Sequence, residues 1–361
     1  MYDLAVRTDH RCHTTTSPSP GCHSSKAHMT ATTRRRYATW VPPCMGMTIV
    51  AMANFLAQPI AAQPYPAKPI RYVVPFPPGA FNDTLGRTIA QKLTEGGFAQ
   101  TVVDNRPGAG STIGTDIAAK APADGYTLLG VAVPFAVNAT LYARLPFDTL
   151  KDFTGIIHAG STPNMLVMHP SVPVATIKDL IALAKAKPNQ LTYASTGNGT
   201  SNHMSMELFK LMTGTQIVHV PYKGSAPALT DLMGGHVMMI FDNTPNVLPY
   251  AKAGKMKAIA VTSMKRSELA PEVPTVDESG VNGFEVSVWF GTVAHANTPR
   301  DIVNRLNAEI NKIIAMPDVR QRFVNGGVDP VGGTAERFTE HIRSEVAKWG
   351  KVVKATGAKV E

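Results

Sequence analysis

Beyond residue 62 the chain has no cysteine; Cys12, Cys22 and Cys44 all lie before it. A protein that begins after that point has neither thiol nor disulfide, which suits an oxidising compartment without demanding one. Runs of one charge are scarce as well. The formal net charge is +9, yet the first 62 residues hold Arg7, Arg11, Lys26, Arg34, Arg35 and Arg36 against Asp3 and Asp9. Without them 29 basic and 24 acidic groups remain, a net of +5. These are dispersed, with no Lys/Arg run and no interleaved aromatics. That pattern argues against a nucleic-acid partner and leaves a mild pull on anions. No serine sits in Gly-x-Ser-x-Gly, and none of the seven later histidines has zinc-ligand spacing with a Cys or carboxylate neighbour. No catalytic residue, metal or cofactor is expected, so the chain reads as a non-enzyme.

The first 62 residues read as a leader. Residues 1–28 are rich in Thr, Ser, His and Cys without hydrophobic periodicity, and Met29 is the expected initiator. Arg34-Arg35-Arg36 then forms a charged segment, Val41 to Ala57 an apolar one broken by Pro42 and Pro43, and Ile60-Ala61-Ala62 a small-residue end. This is the layout of a secretory signal peptide, and the apolar part is too short and interrupted to anchor in a membrane. A periplasmic location is expected.

At 361 residues two domains are the default. From Tyr65 onward strand and helix signals alternate. Ile70 to Val74 and Thr101 to Asp104 read as strands; Leu85, Ile89 and Leu93 stripe one helix. Thr298 with Pro299 predicts the cap and first turn of another helix, with Ile302, Leu306, Ile310 and Ile313 buried. Phe338, Ile342, Val346 and Trp349 stripe a last one. Such βα alternation predicts an α/β fold of mainly parallel sheets flanked by helices.

The loops between these elements hold the chemistry. Leu191 to Ala194 is β-rich, Ser195-Thr196-Gly197-Asn198-Gly199-Thr200-Ser201 has no bulky side chain, and Met204, Leu208 and Met212 follow at helical spacing. This loop aims amides and hydroxyls at a helix N-terminus, which favours an anion. His203 either caps that helix or touches ligand, and His219 reads as a core residue. In the first strand-to-helix loop, Asn82 and Asp83 either cap the helix or reach a ligand. Asn105 to Gly114 carries Gly-x-Gly-x-x-x-Gly spacing, but the acid that a dinucleotide ribose requires is missing about twenty residues on, so a tight turn for a smaller anion is the better reading. Tyr222 and Lys223 end one strand, and Phe241-Asp242-Asn243 the next. Tyr222 and Lys223 either face a ligand or pack a turn.

In order along the chain, YPAKPIRYVVPFPPG, VVDNRPGAGSTIG, DGYTLL, LTYASTGNGTSNH, VHVPYKGSAPALTDLMGGHV, FDN, VPTVDESGVNGFE and AKWGKVVKATGAKVE resemble the Bug family of extracytoplasmic solute receptors. These are the binding proteins of tripartite tricarboxylate transporters. The resemblance spans Tyr65 to Glu361. It implies a two-lobed periplasmic-binding-protein (Venus flytrap) fold, type II-like, with residues 65–163 and 285–361 in one lobe and 164–284 in the other. It implies a monomer that captures a small carboxylate or amino acid and passes it to permease subunits. A sensor that reports ligand occupancy to a signalling partner is the alternative. The family's pocket segments fall on Phe76, Gly79, Phe81, Asn82 and Asp83; on Gly110, Ser111 and Thr112; on Ser195, Thr196, Gly197, Thr200, Ser201 and His203; and on Tyr222, Lys223, Asp242 and Asn243. Phe81 and Phe135 bring apolar bulk toward that pocket. Ala80 stands where many relatives have glycine, and a left-handed backbone there would cost about 1 to 2 kcal/mol.

Overall fold

The computed structural model describes residues 65–359, so the expectations about the leader fall outside the described residues. The first half alternates as its sequence pattern requires: β1 (Ile70–Val74), α1 (Phe81–Glu95), β2 (Thr101–Asn105), a 3-10 turn at Ala109–Ser111, α2 (Thr112–Ala119), β3 (Thr127–Ala132), α3 (Val133–Leu141) and β4 (Phe153–Met168). Then come α4 (Ile177–Ala186), β5 (Thr192–Ser195), α5 (Ser201–Thr213), β6 (Val218–Pro221), α6 (Ser225–Met233), β7 (Met239–Asn243), α7 (Thr244–Lys252) and β8 (Lys257–Val261). The chain closes with β9 (Ser287–His295), α8 (Arg300–Ala315), α9 (Pro317–Asn325), β10 (Asp329–Pro330) and α10 (Ala335–Thr356).

Strands joined through a helix run parallel: β1 with β2 and β3, and β5 with β6 and β7. The long strands break that pattern. β9 lies antiparallel between β3 and β4, and β4 runs antiparallel to β7, β8 and β10. The sheets are therefore mixed, because β4 and β9 are reached by connections other than a helical crossover between neighbours. β4 holds the architecture together. Its Phe153–Pro163 stretch pairs with β9, whereas Asn164–Met168 pairs with β7. One strand thus leaves one sheet and enters the other at Pro163–Asn164. The return passes through Val286, whose N–H donates to Thr262 O, and into β9 at Ser287.

The buried stripes match the spacing in sequence except at Ile302, which is half-buried while its neighbour Val303 enters the core. Leu85, Ile89 and Leu93 of α1, Leu306, Ile310 and Ile313 of α8, and Phe338, Ile342 and Trp349 of α10 are all buried. Glu345 fixes α10 to β9 by accepting hydrogen bonds from Trp289 Nε1 at 2.9 Å and Trp349 Nε1 at 2.8 Å. One helix start differs from expectation. Pro299, in extended backbone at φ −51° and ψ 138°, is the cap residue of α8, and Thr298 makes no side-chain bond to the helix. Proline lacks an N–H, so it fits just ahead of a helix as readily as inside its first turn.

Candidate ligand site at the strand ends

Three helices follow β1, β2 and β3, and none has a side-chain cap: Ala80, Ser111 and Ala132 precede α1, α2 and α3 without one. At α1 and α3 the first N–H groups have no side-chain acceptor, whereas Thr112 N at the start of α2 donates to Ala109 O. In the first loop the left-handed residue is Gly79, at φ +88°, while Ala80 is extended at φ −67°. Alanine therefore costs nothing there, and the loop needs no adjustment.

Asp83 proves to be a structural hub. Its Oδ2 accepts from Gly79 N and Arg87 Nε, each at 3.0 Å, and its Oδ1 from Asn105 Nδ2 at 2.8 Å. Burial alone would raise its pKa; the Arg87 guanidinium, the Gly79 amide and Asn105 outweigh that and hold it below the ordinary carboxylate value. Asn105 also donates to the carbonyl of Phe76. Asn82 is buried, and its Oδ1 has no hydrogen-bond partner. Phe81 packs its ring 4.6 Å from Phe290 and 5.4 Å from Phe323, within an aromatic cluster. Phe135 is only 3% exposed and packs against Phe153 at 5.3 Å, so it is a core side chain rather than pocket lining.

The second loop is strained. Gly108, Ala109, Gly110 and Ser111 all have positive φ, of 128°, 45°, 60° and 78°. For the alanine and the serine this costs of order 1 to 3 kcal/mol each, and such turns persist only where neighbours enforce them. Here Asn138 Nδ2 donates to Gly110 O at 2.7 Å, Tyr142 OH to Ala109 O at 2.9 Å, and Thr112 Oγ1 to Ala109 O at 2.8 Å. Three side chains occupy the carbonyls of Ala109 and Gly110, while Ser111 N donates to Gly108 O at 3.0 Å and Thr112 N to Ala109 O.

In the other half, Thr200 caps α5, its hydroxyl accepting from His203 N. Ser195 is fully buried, and its Oγ lies 2.6 Å from His219 Nε2 and accepts from Gly197 N at 3.2 Å. Gly197 O in turn accepts from Thr200 Oγ1 at 2.7 Å. His203 Nδ1 accepts from Gly199 N at 3.1 Å. Thr196 Oγ1 donates to Asn202 Oδ1 at 2.6 Å. Ser201 is buried at the first position of α5.

Asn202 was not singled out from sequence, although it sits inside the Gly-Thr-Ser-Asn-His run. Besides Thr196 it bonds Phe241 O at 2.8 Å and Asp242 Oδ1 at 3.1 Å. Asp242 is 1% exposed; its Oδ1 also accepts from Asn243 N, and its Oδ2 has no partner. Burial raises its pKa, opposed by Ser225, the Asn243 amide, Asn246 and Asn202. Asn243 begins α7. Tyr222 turns to Asp231, donating to its Oδ2 at 2.7 Å, and Lys223 is exposed.

The loops meet across the two sheets. A Cβ built on Gly199 would lie 2.5 Å from Leu141 Cδ2 and 3.5 Å from Asn138 Oδ1, so the Ser195–Ser201 loop abuts the helix that braces the strained turn. Gly327 likewise abuts Pro245. A cavity of about 510 Å³ between α4, α7 and β8 contains none of these residues, so open volume by itself does not mark the site. Among the described residues no group of three or more His, Cys, Asp or Glu side chains is placed to hold a metal.

A mixed α/β fold split over two sheets by one shared strand, with strand-end loops facing each other across the split, defines a two-lobed solute-binding protein. Residues 85–358 match the model of the tripartite tricarboxylate transporter family receptor, and the chain belongs to that family. BugT of Bordetella pertussis is 39% identical over 308 residues, covering 85% of this chain and 94% of that protein. The R. palustris protein Rpa4515, solved with adipate, superposes with a TM-score of 0.72 at 37% identity, covering 81% of this chain and 98% of that one. MatC (Rpa3494) from Rhodopseudomonas palustris, solved with bound malate, gives 0.70 at 28%, covering 80% and 100%. The family is one of periplasmic receptors rather than enzymes. Among the described residues no helix is long and apolar enough to cross a membrane.

Proposed function

We propose that this protein captures a small carboxylate between its lobes and delivers it to the membrane subunits of a tripartite tricarboxylate transporter. The lobes comprise residues 65–163 with 285–361, and 164–284. The observation that carries this reading is the set of three uncapped helix N-termini after β1, β2 and β3, one of them fed by the strained Gly108–Ser111 turn. Helix N-termini and free amides favour a carboxylate, and bridging water completes its shell without a dedicated arginine. Ligand contacts both lobes only when they meet, so binding shifts the population toward the closed form. The adipate and malate bound to the two R. palustris relatives are of this chemical class.

The test is thermal unfolding with dicarboxylates, tricarboxylates, acidic amino acids and aromatic acids. At a hundred times its dissociation constant a ligand adds about 2.7 kcal/mol of stability. A rise confined to carboxylates supports the reading. Silence from protein refolded free of any copurified ligand counts against it.

A further inference from the structure

The loop from Ser195 to Thr200 rests on a stack of three rings. Tyr193 lies 4.8 Å from His219, and His219 lies 4.3 Å from His203, with interplanar angles of 17° in both pairs. Each imidazole serves one glycine of the loop. His203 Nδ1 accepts directly from Gly199 N, and His219 Nε2 holds the Ser195 hydroxyl that accepts from Gly197 N. An acceptor nitrogen carries no proton, so the hydrogen of His203 belongs on Nε2, which faces Glu207 Oε1 at 3.9 Å. Glu207 Oε1 is held in turn by Tyr193 OH at 2.6 Å and Lys210 Nζ at 2.7 Å. Burial lowers both histidine pKa values, His203 to about 4 and His219 to about 3, and the charged groups facing the pair are Glu207 and Lys210.

We infer that His203 and His219 are positioning residues, a neutral imidazole bracket that sets the backbone of the Ser195–Thr200 loop for ligand. This rests on the proposed role of that loop in binding. The bracket takes the amides of Gly197 and Gly199 and thereby fixes the direction of the remaining donors.

Nitrogen-15 NMR of the intact protein at pH 7 tests it. His203 is expected as the Nε2–H tautomer with a bare Nδ1. In His203→Leu the Gly199 amide should exchange roughly tenfold faster than in the parent, the scale of one lost hydrogen bond. In His203→Asn, whose Oδ1 replaces Nδ1, protection should be kept. His219→Leu should loosen Gly197 in the same way, and His219→Gln should restore it. Adipate affinity, measured in parallel, should follow the amides, with urea midpoints used to separate local from global loosening. An Nδ1–H tautomer overturns the inference, even if a leucine variant fails to fold. So does unchanged exchange, or equal loss in the leucine and amide variants. An unmodified protein that ignores adipate while the amides behave as expected would count against adipate as ligand and leave the bracket standing.

Discussion

Asn202 Nδ2 donates to Asp242 Oδ1 across 3.1 Å, tying the N-terminus of α5 to the carboxyl end of β7. The same nitrogen reaches Phe241 O, and the amide oxygen takes the Thr196 hydroxyl. One buried side chain therefore holds the Ser195–Ser201 loop, a strand end and a carboxylate together. Replacing it by alanine would leave a buried carbonyl without its side-chain partner and a carboxylate with fewer donors. Asn202→Ala should lose about 2 to 3 kcal/mol of stability, the cost of buried groups left unpaired. Urea unfolding reads this; a midpoint like that of the parent would show the network to be inert.

Contact between the lobes depends on two glycines. Gly199 has φ +76° and Gly327 φ +70°, and an added Cβ would strike Leu141 in the first case and Pro245 in the second. Either alanine substitution should hold the lobes apart and add about 1 to 2 kcal/mol of backbone strain. Small-angle scattering should show a larger radius of gyration, and carboxylate affinity should fall. An unchanged radius would mean that these contacts do not limit closure.

His203 titrates at about 4 in the folded protein, against an ordinary 6.5, because burial disfavours its charged form. In that window the unfolded chain binds more protons than the folded one. Stability is therefore full above pH 6.5 and falls as the pH drops toward 4, by up to about 1.4 kcal/mol per pH unit from this group. His203→Asn should flatten the decline by that amount between pH 6 and 4.5. Equal slopes in the two proteins, from urea unfolding across that range, would refute the assignment.

Glu345 accepts from two buried indoles, Trp289 in β9 and Trp349 in α10. Glu345→Ala would orphan both donors and loosen the return of α10 onto the sheet. A loss of about 2 to 6 kcal/mol is expected, at about 1 to 3 for each of the two unpaired donors. Tryptophan fluorescence should report a changed environment along with the lower unfolding midpoint. A change of one without the other would separate the packing of the rings from their hydrogen bonds.

Local pattern decided much of this protein. The βα alternation, the buried stripes of α1, α8 and α10, and the glycine-rich strand ends were legible because periodicity and turn chemistry are properties of neighbouring residues. Asp83, Tyr222 and Phe135 were legible only as types. Whether an acid meets Arg87 and Asn105 or a ligand, whether a tyrosine turns to Asp231, and whether a phenylalanine meets Phe153 depend on residues up to 22 positions away. The strain at Ala109 and Ser111, the change of sheet within β4 at Pro163–Asn164 and the stacking of His203 on His219 belong to tertiary structure alone. Each needs two distant segments to be brought together, and packing, which no local propensity encodes, does that.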